Sequence, residues 1–119
     1  MNEANITKNS DDSLEIVSAS VNSEGEEYWL AGEVKNISGA RLDYAGVVVA
    51  VKDCDGQVIN CDQMYLLGNS YLQPGETGYF KYYFSAAMFG RMPELKVVVS
   101  PFYQNVRMKD RVDLVDSKF

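Results

Sequence analysis

The sequence predicts an all-β chain folded as an antiparallel β-sandwich of about seven strands. Three observations carry this. Apolar residues recur with period two along successive stretches, turn-forming residues separate those stretches at short intervals, and no stretch keeps a helical period for more than a turn or two. With 119 residues, 46% of them apolar and 24% charged, the chain can bury a core of its own as one domain and lies far from the composition of disordered chains.

Taken in order, Leu14 to Asn22 (LEIVSASVN) alternates loosely, and Tyr28 to Ile37 (YWLAGEVKNI) sets Leu30 and Val34 on one face against Glu33 and Lys35 on the other. Tyr44 to Asp53 (YAGVVVAVKD) is rich in β-branched residues, with Val47, Val49 and Val51 in phase and Lys52 opposed, as a half-buried strand requires. Gln57 to Tyr65 follows a short break. Thr77 to Phe84 (TGYFKYYF) turns Phe80, Tyr82 and Phe84 one way and Tyr79, Lys81 and Tyr83 the other. Leu95 to Tyr103 (LKVVVSPFY) is a further strand whose Pro101 suggests an edge or a bulge, and Val106 to Leu114 alternates weakly enough to be a last one. Ser23 to Glu26, Ser38 to Arg41, Asp55-Gly56, Pro74-Gly75 and Gly90 to Pro93 supply the turns. Ser85 to Met92 has room for one helical turn, limited by Gly90 and Pro93. The expected core is Leu30, Val34, Val47, Val49, Val51, Phe80, Phe84, Val97 and Val99. Residues 1–12, rich in Asn, Ser and Asp, are expected to form a flexible segment ahead of a single domain over residues 13–119.

The runs GEVKNISG (Gly32 to Gly39), GVVVAVKD leading into DGQVI (Gly46 to Ile59), and LQPGETGYF (Leu72 to Phe80) resemble, in order and spacing, the FxLYD domain and its immunoglobulin-like relatives. The resemblance extends over roughly Leu14 to Tyr103, most of the chain. The name-giving motif falls on Val49 to Asp53, where Asp53 is identical, Val stands at both apolar positions and Lys52 replaces the tyrosine. The resemblance implies an immunoglobulin-like sandwich found on secreted or surface-attached bacterial proteins, and it brings no catalytic residues.

Charge and composition exclude several chemistries. The 11 basic and 17 acidic residues leave a net charge of -6, and Lys35, Lys52, Lys81 and Lys96 fall singly in separate strands, so no basic patch forms to hold nucleic acid. There is no histidine, which removes histidine-based triads, histidine-ligated zinc and the commonest general base together. Neither a GxGxxG nor a GxxxxGK[ST] phosphate loop occurs. A pair of catalytic carboxylates is not singled out among the acids, so no enzyme and no cofactor is expected. No apolar run approaches the length of a membrane span, and the first residues lack the basic and apolar regions of a signal peptide. A polar, Asn- and Ser-rich opening suits a tether behind such a peptide, so any membrane attachment is expected outside this chain.

Three candidate sites remain. DCDGQVINCD, Asp53 to Asp62, places Asp53, Asp55, Gly56, Val58 and Asp62 on positions three, five, six, eight and twelve of an EF-hand loop, but position one is Val51 and the flanks read as strands. Asp-Gly between strands signals a hairpin instead, leaving Asp53, Asp55 and Asp62 as candidate ligands for a weak surface calcium site. On that hairpin Cys54 and Cys61 would lie roughly 13 Å apart, beyond disulfide reach, and two free thiols are favoured over a bridge across a wider loop. Trp29, Tyr79 and Tyr83, turned outward by strand parity, form a candidate platform for carbohydrate or peptide, although tyrosines also serve sheets through cross-strand pairing. Met88, Phe89 and Met92 are a candidate partner-binding loop or a plug at one end of the sandwich. The expected role is a non-catalytic interaction or spacer module, extracytoplasmic or at the cell surface, whose partner is another protein or a cell-envelope component.

Overall fold

The computed structural model describes residues 5–25, 27–68, 71–84 and 95–104. Within them run nine strands: β1 (Ile6–Lys8), β2 (Leu14–Glu24), β3 (Glu27–Asn36), β4 (Leu42–Asp43), β5 (Gly46–Lys52), β6 (Val58–Tyr65), β7 (Tyr71–Leu72), β8 (Thr77–Tyr83) and β9 (Lys96–Phe102). The six long strands coincide with the alternating stretches, and the chain is an all-β sandwich. The expected helical turn over Ser85 to Met92 and the weak strand over Val106 to Leu114 lie outside the described residues.

One layer is a four-stranded sheet in the order β1-β9-β5-β6, and the other is a three-stranded sheet in the order β2-β3-β8; β4 and β7 pair separately. The chain changes layer after β1, after β3, after β6 and after β8, so the two hairpins β2-β3 and β5-β6 sit in opposite sheets. Two details go beyond the alternating pattern. The sheets are not wholly antiparallel, because β1 runs parallel to β9, with Ile6 opposite Val97 and Lys8 opposite Val99. The segment 1–12 is also not free along its length: β1 is paired, Ile6 is buried, and the Asn9 amide donates to the Val99 carbonyl at 2.8 Å. Three residues are too few for a period-two pattern to register, so composition alone made this stretch look like a tether. Asp11 then turns the chain toward the other layer, its Oδ1 accepting from the Ser13 and Leu14 amides at 2.8 and 2.7 Å.

The core closes between the layers. Val47, Val49 and Val51 of β5 stand beside Val97 and Val99 of β9, with Val49 opposite Val99 and Val51 opposite Val97. Facing them are Leu14 and Ile16 of β2, Leu30 and Val34 of β3, and Phe80 and Tyr82 of β8, all buried. Every expected core residue is at most 4% exposed, and burying side chains of this size stabilises the fold by about 1.5–3 kcal/mol each. Pro101 lies within β9 opposite Val47, past the point where β1 has ended, so its missing N–H takes nothing from the β1 ladder.

Two connections are tied together by one side chain. Asn36, fully buried at the end of β3, donates from Nδ2 to the carbonyls of Ala40 (2.8 Å) and Leu72 (2.9 Å), while its Oδ1 accepts from the amide and hydroxyl of Ser38 (2.9 and 2.7 Å). Its backbone completes the join: the Asn36 amide donates to the Glu76 carbonyl, and the Gly75 amide donates to the Asn36 carbonyl, each at 2.9 Å. GEVKNISG and LQPGETGYF thus meet at one end of the sandwich.

Candidate functional site

The outer face of the three-stranded sheet is built by register. Antiparallel pairing sets Glu33 opposite Tyr79, Ala31 opposite Lys81 and Trp29 opposite Tyr83, while on the other flank Ser18 faces Glu33, Ser20 faces Ala31 and Asn22 faces Trp29. Side chains alternate across a strand, so these nine project away from the core as three rows: Ser18-Glu33-Tyr79, Ser20-Ala31-Lys81 and Asn22-Trp29-Tyr83. A register shift between Ile16 and Ser18 brings the β2 residues into this phase, since Val17 is absorbed there as a bulge. The Ile16 amide at the bulge is satisfied by the Ser10 hydroxyl at 3.0 Å.

Ala31 is the small residue at the middle of the grid, and larger side chains stand around it. Above it lies a shallow hollow of about 510 Å3 that reaches Leu67, whose amide donates to the Tyr79 carbonyl at 2.8 Å and extends the sheet edge. At one end Trp29 and Tyr83 have ring centroids 6.1 Å apart, tilted by 49°. The Lys81 ammonium sits at both rings, 5.0 Å from the Trp29 centroid and 4.9 Å from that of Tyr83. Exposed cation–π contacts of this kind contribute about 0.5–1 kcal/mol each and hold the three side chains in one arrangement. Tyr79 and Tyr83 are 56% and 55% exposed, large for aromatic residues on a sheet.

The three aromatics singled out by parity therefore do share one face, with Tyr79 at its far end from the Trp29 and Tyr83 pair. Parity also turns Lys81 and Glu33 outward, but their place in the site depends on which residues oppose them across strands, and no single-strand pattern carries that. A second aromatic group escaped the sequence entirely: Tyr44, Tyr65 and Phe102 line up at 6.3 and 5.7 Å between ring centroids at the end of the four-stranded sheet. Met88, Phe89 and Met92, the candidate partner-binding residues, lie outside the described residues.

The candidate calcium ligands are not brought together. Asp53 Oδ1 is taken by the Asp55 and Gln57 amides, both at 3.0 Å, and the Gly56 amide donates to the Asp53 carbonyl, so the loop is a turn over Cys54 and Asp55 closed by Gly56 at φ 85°. It is one residue wider than a two-residue Asp-Gly turn. Asp62 sits opposite Val49, a core position, so its carboxylate faces the space between the sheets and accepts from the Tyr82 hydroxyl at 2.7 Å. Among the described residues no group of three His, Cys, Asp or Glu side chains is placed to hold a metal. Cys54 and Cys61 are both free and exposed, the first in the turn and the second on β6 opposite Ala50.

The Asp62 contact joins the layers. Asn60 Nδ2 donates to the Tyr82 hydroxyl at 2.6 Å and the hydroxyl in turn donates to Asp62 Oδ2, tying β8 of one sheet to β6 of the other. Burial, and then the bond to Asp62, hold the Tyr82 phenol well above the ordinary tyrosine range.

No family model matches this sequence, and no curated protein matches it. Among solved structures, the C-terminal domain of wzt is similar over 64% of this chain at a TM-score of 0.52 and 14% identity. This chain spans 53% of that one, about half its length. Bacteroides uniformis β-glucuronidase 2 is similar over 63% of this chain and 8% of its own, with a TM-score of 0.43 and 20% identity. Campylobacter jejuni cj0090 is similar over 80% of this chain and 93% of its own, with a TM-score of 0.43 and 14% identity. The likeness to the wzt domain is one of fold, a β-sandwich.

Proposed function

We propose that this chain is a non-catalytic interaction module of an extracytoplasmic protein, and that its ligand is a glycan taken on the outer face of β2, β3 and β8. The observation that carries the reading is the grid itself. Aromatic rings at both ends flank a small central residue, and the β2 flank offers only hydroxyl and amide groups, Ser18, Ser20 and Asn22. A sugar ring has apolar C–H faces that stack on indole and phenol rings and an equatorial rim of hydroxyls that needs donors and acceptors, and this face presents both in the required alternation. The extracytoplasmic setting is supported by the resemblance to FxLYD domains.

The test is a titration with a panel of cell-wall glycans, followed by Trp29 fluorescence and by backbone amide shifts. Binding should move the amides of Trp29, Ala31, Tyr79, Lys81 and Tyr83 as a group. Trp29→Ala and Tyr83→Ala should each weaken it about tenfold, because an aromatic contact contributes about 0.5–1.5 kcal/mol beyond the area it buries. Melting temperatures should change little, since both side chains lie outside the core. A panel without any response ends the glycan reading.

A further inference from the structure

The position of Lys81 narrows the kind of glycan, an inference that rests on the glycan-binding reading. Its ammonium lies against the two rings that a sugar would stack on, at 5.0 and 4.9 Å from their centroids. Among the described residues the ion pair is between Arg41 and Asp43, and no described carboxylate pairs with Lys81. Ring quadrupoles attract the ammonium without neutralising it, so among the described residues nothing offsets its positive charge at these rings, on a chain whose net charge is -6. A neutral sugar stacking on Trp29 and Tyr83 has to push the ammonium aside and lose both contacts. A sugar carrying a carboxylate gains an ion pair with the same ammonium while its C–H face covers the neighbouring ring.

Glu33 limits the ligand further. It stands opposite Tyr79, diagonal to Lys81 on the same face, and a second anion arriving there meets its carboxylate. Sugar hydroxyls, in contrast, can donate to it. The face is therefore matched to one negative charge beside uncharged hydroxyl-rich surface, rather than to a densely sulfated chain.

We propose that Trp29, Lys81 and Tyr83 together read a single sugar carboxylate, so that the ligand is a glycan containing uronic acid. The test compares, by calorimetry and amide shifts, an oligosaccharide carrying one uronic acid among neutral sugars, the same oligosaccharide with that carboxylate reduced to an alcohol, and a sulfated oligosaccharide. Wild-type protein should bind the acidic form at least tenfold more tightly than the reduced form, and added salt should shrink that ratio. Lys81→Gln should bring the two within about twofold of each other, and Lys81→Arg should preserve the preference. Equal binding of the acidic and reduced forms by wild type would overturn the carboxylate assignment while leaving glycan binding intact. Tightest binding of the sulfated form, or an undiminished acid preference in Lys81→Gln, would also overturn it. If neither oligosaccharide nor any glycan of the wider panel binds, both readings fall together.

Discussion

Asn36 and Tyr82 each hold separate parts of the fold together through polar side-chain atoms, and their losses should differ in size. Asn36→Ala strips a hydrogen bond from the buried Leu72 carbonyl and from the part-buried Ser38 amide, while the Ala40 carbonyl keeps its bond from the Ser38 hydroxyl at 2.9 Å. Leaving such groups unpaired costs about 2–4 kcal/mol. The urea midpoint should therefore fall by about 1–2 M with little change in slope. Tyr82→Phe removes one inter-sheet hydroxyl, and because Asp62 is exposed and can rehydrate, the cost should be about 1 kcal/mol. The two proteins should also differ with pH. The phenol is raised in the folded state above its value near 10 in the unfolded chain, so the unfolded chain releases this proton first. That contribution to stability is complete below about pH 10 and declines as the pH climbs further toward the folded value. Urea titrations at pH 8 and pH 10.5 should show the gap between wild type and Tyr82→Phe narrowing at the higher pH; a constant gap would mean that the hydroxyl is not held as described.

At the scale of elements, Gly32 decides how closely β3 can pass its neighbours. It occupies an inward position between Leu30 and Val34 and is paired with Phe80, whose ring lies where a side chain would be: an added Cβ would come within 2.6 Å of Phe80 Cζ and would also meet the Ser18 carbonyl. One of those atoms belongs to the backbone of β2 and cannot swing aside. Gly32→Ala should therefore destabilise the protein by about 2–3 kcal/mol or more, seen as loss of soluble expression or a melting temperature lower by ten degrees or so. Five of the six long strands were legible because each buries one face in a common core and so shows period two. The β6 strand shows that pattern poorly for a physical reason: it is the edge of its sheet, and its inward positions are Asn60, Asp62 and Met64 rather than aliphatic residues. An inward charge on an edge strand also discourages pairing with another copy. β4 and β7, two residues each, leave no periodic trace at all.

For the whole molecule, the layers and their contents follow from the sequence while the contacts between strands do not. Parity alone placed Trp29, Tyr79 and Tyr83 outside and Phe80 and Phe84 inside. The grid around Ala31 depends on the register of β3 with β2 and β8, which a bulge near Val17 resets, and no count of apolar residues reveals where a bulge falls. The calcium pattern misled for a related reason. Spacing along the chain says nothing of which side of a strand a carboxylate occupies, and Asp62 lies on the side facing Tyr82 while Asp53 is spent on the turn.

The parallel join of β1 to β9 has a mechanical consequence. Both strands run the same way, so tension entering ahead of Ile6 and leaving after Phe102 would slide one along the other, straining their shared bonds all at once instead of peeling them singly. A domain closed in this manner yields slowly under a steady pull, since rupture is set by the barrier to unfolding rather than by equilibrium stability.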